Sequence, residues 1–378
     1  MRHMIIAGLV ALALCAGISV SAQAREPAPP PVITPRLPAP TGAHPVGRVI
    51  LPLTDTGRPD PWVPAVKARK LMVSVWFPAQ SPGTHRSPYM SAEESRLLLE
   101  DEGLRGPAPD VLSRTVTGSF TDARPAGRAG SLPLVILSPG FHRPRSALTS
   151  LAEELASRGY VAVAIDHTYE NVATTFPGGR VATCVACAGL RSLPFWRKLS
   201  DGRAADVSFV LDQLPTAWDG GGLIDLDKIA MVGHSVGGAG AVTTLVRDPR
   251  LKAGVNLDGT VHSKVPEKGL DRPFLFLGKA ATYTPGTGPE SRNWEATMKR
   301  LTGWKKWLVL QGAVHHSFSD LSLLAEQVGV DLKAQVKGAR SVEITRAYVV
   351  AFLDRHLLGQ PETLLDGPSS RFPEVTGS

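Results

Sequence analysis

Short apolar runs recur along the chain at residues 132–137, 160–165, 229–232, 251–257, 273–277 and 304–310. Each is about one strand long, and near-continuous apolar character marks strands buried on both faces. Two earlier runs, 46–53 and 71–77, read as opening strands, the second stopping at Pro78. Helical spacing alternates with these runs. Leu148, Leu151, Ala152 and Leu155 line one face of a helix expected over 146–158. Val207, Val210, Leu211 and Leu214 do the same over 201–214. Further helices are expected at 92–100, 290–301, 318–328 and 341–358. Residues 167–198 show no period, and a connection of that length is usually functional or disordered. The alternation predicts an α/β fold with a mostly parallel central sheet and helices on both faces. In such folds chemistry gathers at the carboxyl ends of the strands.

The ends of the chain differ from this pattern. Residues 1–24 combine Arg2, an apolar stretch and Ala22-Gln23-Ala24, as a cleaved export signal does. The expected location is therefore secreted or periplasmic. Residues 25–45 carry eight prolines and read as an extended, disordered tether. One domain is expected over 46–360, with 167–198 as a long loop over the site and 361–378 as a tail. The formal charge is +7, but charged residues make up an ordinary 20%. No Lys/Arg block suggests a nucleic-acid groove. The excess suits transient contact with anionic lipid or cell surfaces.

One stretch carries the chemistry. The run at 229–232 leads into Gly233-His234-Ser235-Val236-Gly237 and then the small residues Gly238 to Ala241. Strand, sharp turn and helix around Gly-x-Ser-x-Gly form a nucleophile elbow. A serine hydroxyl needs a base, and the base needs a partner that fixes its tautomer. In an elbow enzyme the acid and then the histidine follow the serine along the chain. His315 follows the last apolar run, in Gly312-Ala313-Val314-His315-His316. Asp258 ends the run after the elbow helix, whereas the next run ends at Gly278-Lys279 with no carboxylate. Two backbone N–H groups must face the developing oxyanion. Val236 supplies one, and Phe141, in the loop Ser138-Pro139-Gly140-Phe141-His142, supplies the other. His142, His234, Phe176 and Trp196 are the expected pocket residues, although the aromatics equally suit a packed core. Cys15 leaves with the signal, so Cys184 and Cys187 remain and are expected to form a disulfide. Two cysteines are too few ligands for a metal site, and no metal is expected.

These residues resemble the secreted, plasma-type platelet-activating factor acetylhydrolase family and its relatives among exported bacterial esterases. Gly233 to Gly238 match the family elbow, Asp258 its acid, and Gly312, His315, Phe318 and Asp320 its histidine stretch. Val46-Gly47 and residues 69–78 match its opening, so the resemblance spans about 45–357. Pro139-Gly140 departs from the family's usual His-Gly, which alters pocket polarity and leaves backbone donation intact. The resemblance implies an α/β-hydrolase fold and catalysis without cofactor. The expectation is a secreted serine hydrolase that cleaves carboxylic esters through an acyl-enzyme. Its substrates would be short-chain acyl esters or phospholipid-like acetyl esters. A polyester or cutinase-like hydrolase is the nearest alternative. A non-catalytic binding protein on the same scaffold would carry a broken triad, and this chain carries all three residues.

Overall fold

The computed structural model describes residues 33–377. The export signal expected at 1–24 and the first part of the Pro-rich stretch lie outside them.

Strands and helices alternate as the apolar pattern demands. In chain order they are β1 (Val46–Asp55), β2 (Arg69–Pro78), α1 (Ala92–Asp101), β3 (Ser119–Phe120), β4 (Leu132–Ser138), α2 (Thr149–Ser157) and β5 (Val161–Asp166). A small hairpin follows, β6 (Thr174–Thr175) and β7 (Val181–Ala182), then α3 (Leu193–Ala217), β8 (Ile224–His234), α4 (Val236–Arg247) and β9 (Leu251–Leu257). The chain closes with β10 (Phe274–Lys279), α5 (Ala280–Tyr283), α6 (Pro289–Met298), β11 (Lys305–Leu310), α7 (Asp320–Gln327), α8 (Gly338–Leu357) and β12 (Val375–Gly377).

The main sheet runs β12-β11-β10-β9-β8-β4-β5-β2-β1-β3. From β5 to β11 every pairing is parallel, while β1, β2 and β12 join antiparallel. Successive residues of the central strands divide between two apolar cores. Val135, Leu137, Ala230, Val232, Leu275 and Leu277 enter the core under α2 and α8. Leu134, Ile136, Ile229, Met231, Phe274 and Phe276 enter the core under α3 and α4. Period-two alternation with apolar residues on both faces is why these strands read as unbroken runs.

Three expectations about connections and ends need correcting. Residues 33–45 are docked rather than a tether. Leu37 is buried against Tyr89, Met90 and Leu324. Arg346 donates to the carbonyls of Pro38 at 3.0 Å and Ala39 at 3.1 Å. Proline keeps its carbonyl as an acceptor, so an extended Pro-rich strand can be stapled by side-chain donors. Residues 361–378 are no free tail: Leu365 and Phe372 are buried, and β12 pairs with β11. The 167–198 stretch holds the β6–β7 hairpin, and its last residues already belong to α3. Ser192 caps that helix, accepting from the Phe195 N–H at 3.4 Å, and Pro194 stands in its first turn.

Candidate active site

The elbow places Ser235 between β8 and α4 at φ 57° and ψ −125°, a left-handed conformation costly for a residue with a Cβ. The surroundings hold it there. The Ser235 N–H donates to the Leu257 carbonyl at 2.7 Å. A Cβ on Gly233 would come within 2.0 Å of the Gly237 carbonyl carbon, and one on Gly237 within 2.0 Å of the Ser138 oxygen. Only glycine permits the strand, helix and neighbouring loop to close up this tightly.

The residues expected to act together meet here. His315 Nε2 lies 2.9 Å from Ser235 Oγ. His315 Nδ1 lies 2.5 Å from Asp258 Oδ2. Asp258 Oδ1 accepts the backbone N–H of Lys279 at 2.7 Å, so both carboxylate oxygens are engaged. Asp258 is buried, while the His315 side chain is 38% exposed, open to a substrate. A buried carboxylate on Nδ1 selects the tautomer that leaves Nε2 as the acceptor facing the serine. The lysine that argued against an acid after β10 thus contributes through its main chain.

Gly140 brings the 138–142 loop against Ser235, since a Cβ there would lie 3.3 Å from Ser235 Cβ. Among the described residues the Phe141 N–H donates to no other group. Val236 is the first residue of α4, where an N–H has no intrahelical partner. Both expected donors are therefore free.

The neighbouring histidines have other roles. His234 is buried, and its Nε2–H donates to the His315 backbone carbonyl at 2.8 Å, which fixes the loop that carries His315. Burial, then the nearby His315 and His316, holds the His234 pKa well below its ordinary value. Burial and the Arg143 cation push His316 down to about 4. Both rings are therefore neutral near pH 7.

Aromatic side chains wall one side of the site. Phe141, Phe195, Trp196 and Trp62 pack into the cluster that contains Val236. Trp196 meets Phe141 edge-on at 5.6 Å between centroids and stacks on His262 at 5.5 Å. Trp62 and His262 were not among the expected pocket residues. They come from the β1–β2 connection and the loop after β9, and no local pattern marks either. Phe176 does not join this wall and is removed from the pocket. It packs with Met72 and Ala182 in a separate cluster, with the Arg180 guanidinium 4.1 Å over its ring.

His142 sits at φ 68° beside the wall, with Asp101 Oδ2 at 3.3 Å from Nδ1 and an Arg191 nitrogen at 3.0 Å from Nε2. Cys184 and Cys187 are joined to each other. His142 and the two sulfurs lie within 4.8 Å of one another. Sulfurs bonded in a disulfide offer no thiolate, so the trio does not suit a metal in this state.

Comparison with known proteins gives a consistent picture. A family model described as platelet-activating factor acetylhydrolase, isoform II, matches residues 192–363. A probable 1-alkyl-2-acetylglycerophosphocholine esterase from Arthroderma benhamiae is 31% identical over 90% of this chain and 92% of its own length. The platelet-activating factor acetylhydrolase of Cavia porcellus is 24% identical over 65% of this chain and 63% of its own. Among solved structures, a ferulic acid esterase from Streptomyces cinnamoneus superposes with a TM-score of 0.81. It is 40% identical and covers 91% of this chain and 99% of its own.

Proposed function

This chain belongs to the platelet-activating factor acetylhydrolase family and is an α/β-hydrolase that cleaves carboxylic esters, and we propose that it does so with Ser235, His315 and Asp258 through an acyl-enzyme. The observation that carries this reading is the unbroken hydrogen-bond chain from Asp258 through His315 to a serine held at positive φ. His315 Nε2 takes the hydroxyl proton as Ser235 Oγ attacks the ester carbonyl. The oxygen that gains charge turns toward the Val236 and Phe141 N–H groups. Asp258 stabilises the imidazolium. Collapse of the tetrahedral species passes that proton to the departing alcohol and leaves Ser235 acylated. Water, deprotonated by His315, then releases the acid.

A finer reading concerns the acyl group. The wall of Phe141, Phe195 and Trp196 suits a planar aromatic acid by edge-to-face contact. The likeness to a ferulic acid esterase favours the same reading. We therefore place aromatic acyl esters beside the short acyl esters suggested by the other relatives. In the same proposal the protein is exported after loss of residues 1–24.

The test is a fluorophosphonate probe followed by mass spectrometry of the secreted protein. One adduct is expected, on Ser235, on a chain beginning at Arg25. Ser235→Ala should abolish both labelling and turnover. Labelling elsewhere, or an active alanine variant, would remove Ser235 from the mechanism.

A further inference from the structure

The peptide that carries the Phe141 N–H is flanked by two contacts, one to the Arg203 guanidinium and one to the Glu170 backbone, and these two residues also form a buried ion pair. On one side the Pro139 carbonyl accepts from the Arg203 guanidinium, and the same nitrogen lies 3.2 Å from Ser138 Oγ. On the other side the His142 N–H donates to the Glu170 carbonyl at 3.0 Å. The two grips are joined, because Arg203 Nε donates to Glu170 Oε2 at 2.8 Å. Glu170 Oε1 accepts the Trp62 indole N–H at 2.8 Å, which fixes the carboxylate in turn. Arg203 and Glu170 are each 1% exposed at the side chain. An ion pair this deep costs desolvation and is weak evidence of stabilisation in itself. Its geometry is what distinguishes it: the planar fork of Arg203 spans a carboxylate and a loop carbonyl at once.

A second serine–histidine–aspartate chain supports the same loop. Ser138 Oγ lies 3.0 Å from His167 Nε2, and His167 Nδ1 lies 2.8 Å from Asp206 Oδ2. It repeats the bond order of the active site, yet Ser138, His167 and Asp206 are all at most 1% exposed. No ester can reach Ser138, and its oxygen already accepts from Arg203. Arg69 holds Asp206 with contacts of 2.8 and 3.2 Å. Burial lowers the His167 pKa, so the ring is neutral, with Nδ1–H on Asp206 and Nε2 accepting the Ser138 hydroxyl. The Ser138 lone pairs are left for Arg203.

We propose that Arg203 and Glu170 are positioning residues that aim the Phe141 N–H at the oxyanion formed during ester cleavage. The role follows from their two-sided hold on residues 139–142. It rests on Ser235 being the nucleophile. The oxyanion hole works only when its donors are placed in advance, and a shift of about 1 Å can cost about a hundredfold in rate. Trp62, which leans on both Glu170 and Phe195, ties the clamp to the aromatic wall.

Arg203→Lys keeps a cation beside Glu170 but cannot span Glu170 and Pro139 together. Its kcat should fall about tenfold to a hundredfold, with KM changed by less than about twofold. An aryl trifluoromethyl ketone supplies the second readout. Ser235 Oγ adds to its carbonyl carbon, the serine proton passes to His315, and the resulting oxyanion occupies the hole. Its affinity should fall by the same factor as kcat, whereas a purely structural loss would lower the melting temperature without that parallel. Glu170→Gln keeps the backbone carbonyl and an acceptor for Arg203, so it should show the same parallel at smaller size. It serves as the reporter if Arg203→Lys does not fold. Unchanged kcat and ketone affinity in the folded variants would overturn the proposal, as would a fall in kcat with ketone affinity intact. Ser235→Ala run alongside separates the two levels. An active Ser235→Ala means the nucleophile is wrong, while an inactive one beside a normal Arg203→Lys sinks only the clamp.

Discussion

Asp258 Oδ2 lies 2.5 Å from His315 Nδ1, across 57 residues of sequence. The contact is made at the carboxyl ends of β9 and β11, across the end of the intervening β10. Asp258 follows β9 and is itself at φ 58°, a turn that swings its carboxylate toward the loop after β11. The backbone N–H groups of Asp258 and Lys279 pin this turn to the end of β10, the first by donating to the Leu277 carbonyl at 2.9 Å. Main-chain donors thus fix both the turn and one carboxylate oxygen, which leaves the other oxygen aimed at His315.

Replacing Asp258 by asparagine should leave the fold intact and remove the preference for the productive tautomer. An amide can donate to Nδ1 and so stabilise the wrong form of the ring. The expected loss in kcat/KM is about ten-thousand-fold, the scale seen for the equivalent change in a serine protease. Circular dichroism should be unchanged. Asp271→Asn and Glu290→Gln, measured beside it, should remain near wild type. Full activity in Asp258→Asn would move the acid elsewhere.

Trp196→Ala should change substrate preference more than catalysis. Trp196 contacts Phe141, Phe195 and His262, and its loss opens the aromatic wall without touching Ser235, His315 or Asp258. An aromatic contact is worth about 0.5–1.5 kcal/mol beyond area burial, or about twofold to tenfold in rate. The kcat/KM for an aryl acyl ester should drop by about that much relative to an acetyl ester of the same alcohol. An equal drop for both esters would mean that the wall does not read the acyl group.

His316 sets a pH dependence of stability. Its pKa is pushed down to about 4 in the folded chain, from an ordinary value of 6.5. Below about 6.5 the unfolded chain takes up a proton that the folded chain refuses. The stability this residue contributes is therefore present above about 6.5 and is lost as pH falls toward 4. Asp320, pushed up to about 7 by burial, acts in the opposite direction over much of the same range. The readout is thus the difference between His316→Asn and wild type. Melting temperatures from pH 8 to 4.5 should fall less steeply in the variant, and parallel curves would remove His316 as a contributor.

Much of the site was legible in the chain because it depends on local requirements. A nucleophile elbow needs glycines next to the serine, and Gly233 and Gly237 stand where a Cβ would collide with backbone. Asp258 and His315 each follow an apolar run, and parallel strands place such ends on one edge of the sheet. Two-faced burial of β4, β5, β8, β9 and β10 left an unbroken apolar signature, so the core strands were also visible.

Other features depend on partners far away in sequence, and only the tertiary structure decides them. Residues 33–45 look like a linker because prolines carry few local signals of docking. They are fixed by Arg346 and by Glu154, whose carboxylate accepts the Thr41 N–H at 2.9 Å. Phe176 and Trp196 have the same apolar character, yet one packs on Met72 and the other faces the oxyanion loop. The Arg203–Glu170 clamp joins α3 to the loop after β5, and neither residue's sequence neighbours distinguish it from a surface charge. Local sterics and periodicity picked out Ser235, Asp258 and His315. Burial and long-range hydrogen bonds, which no short window contains, decided what lines the pocket and what holds the oxyanion loop.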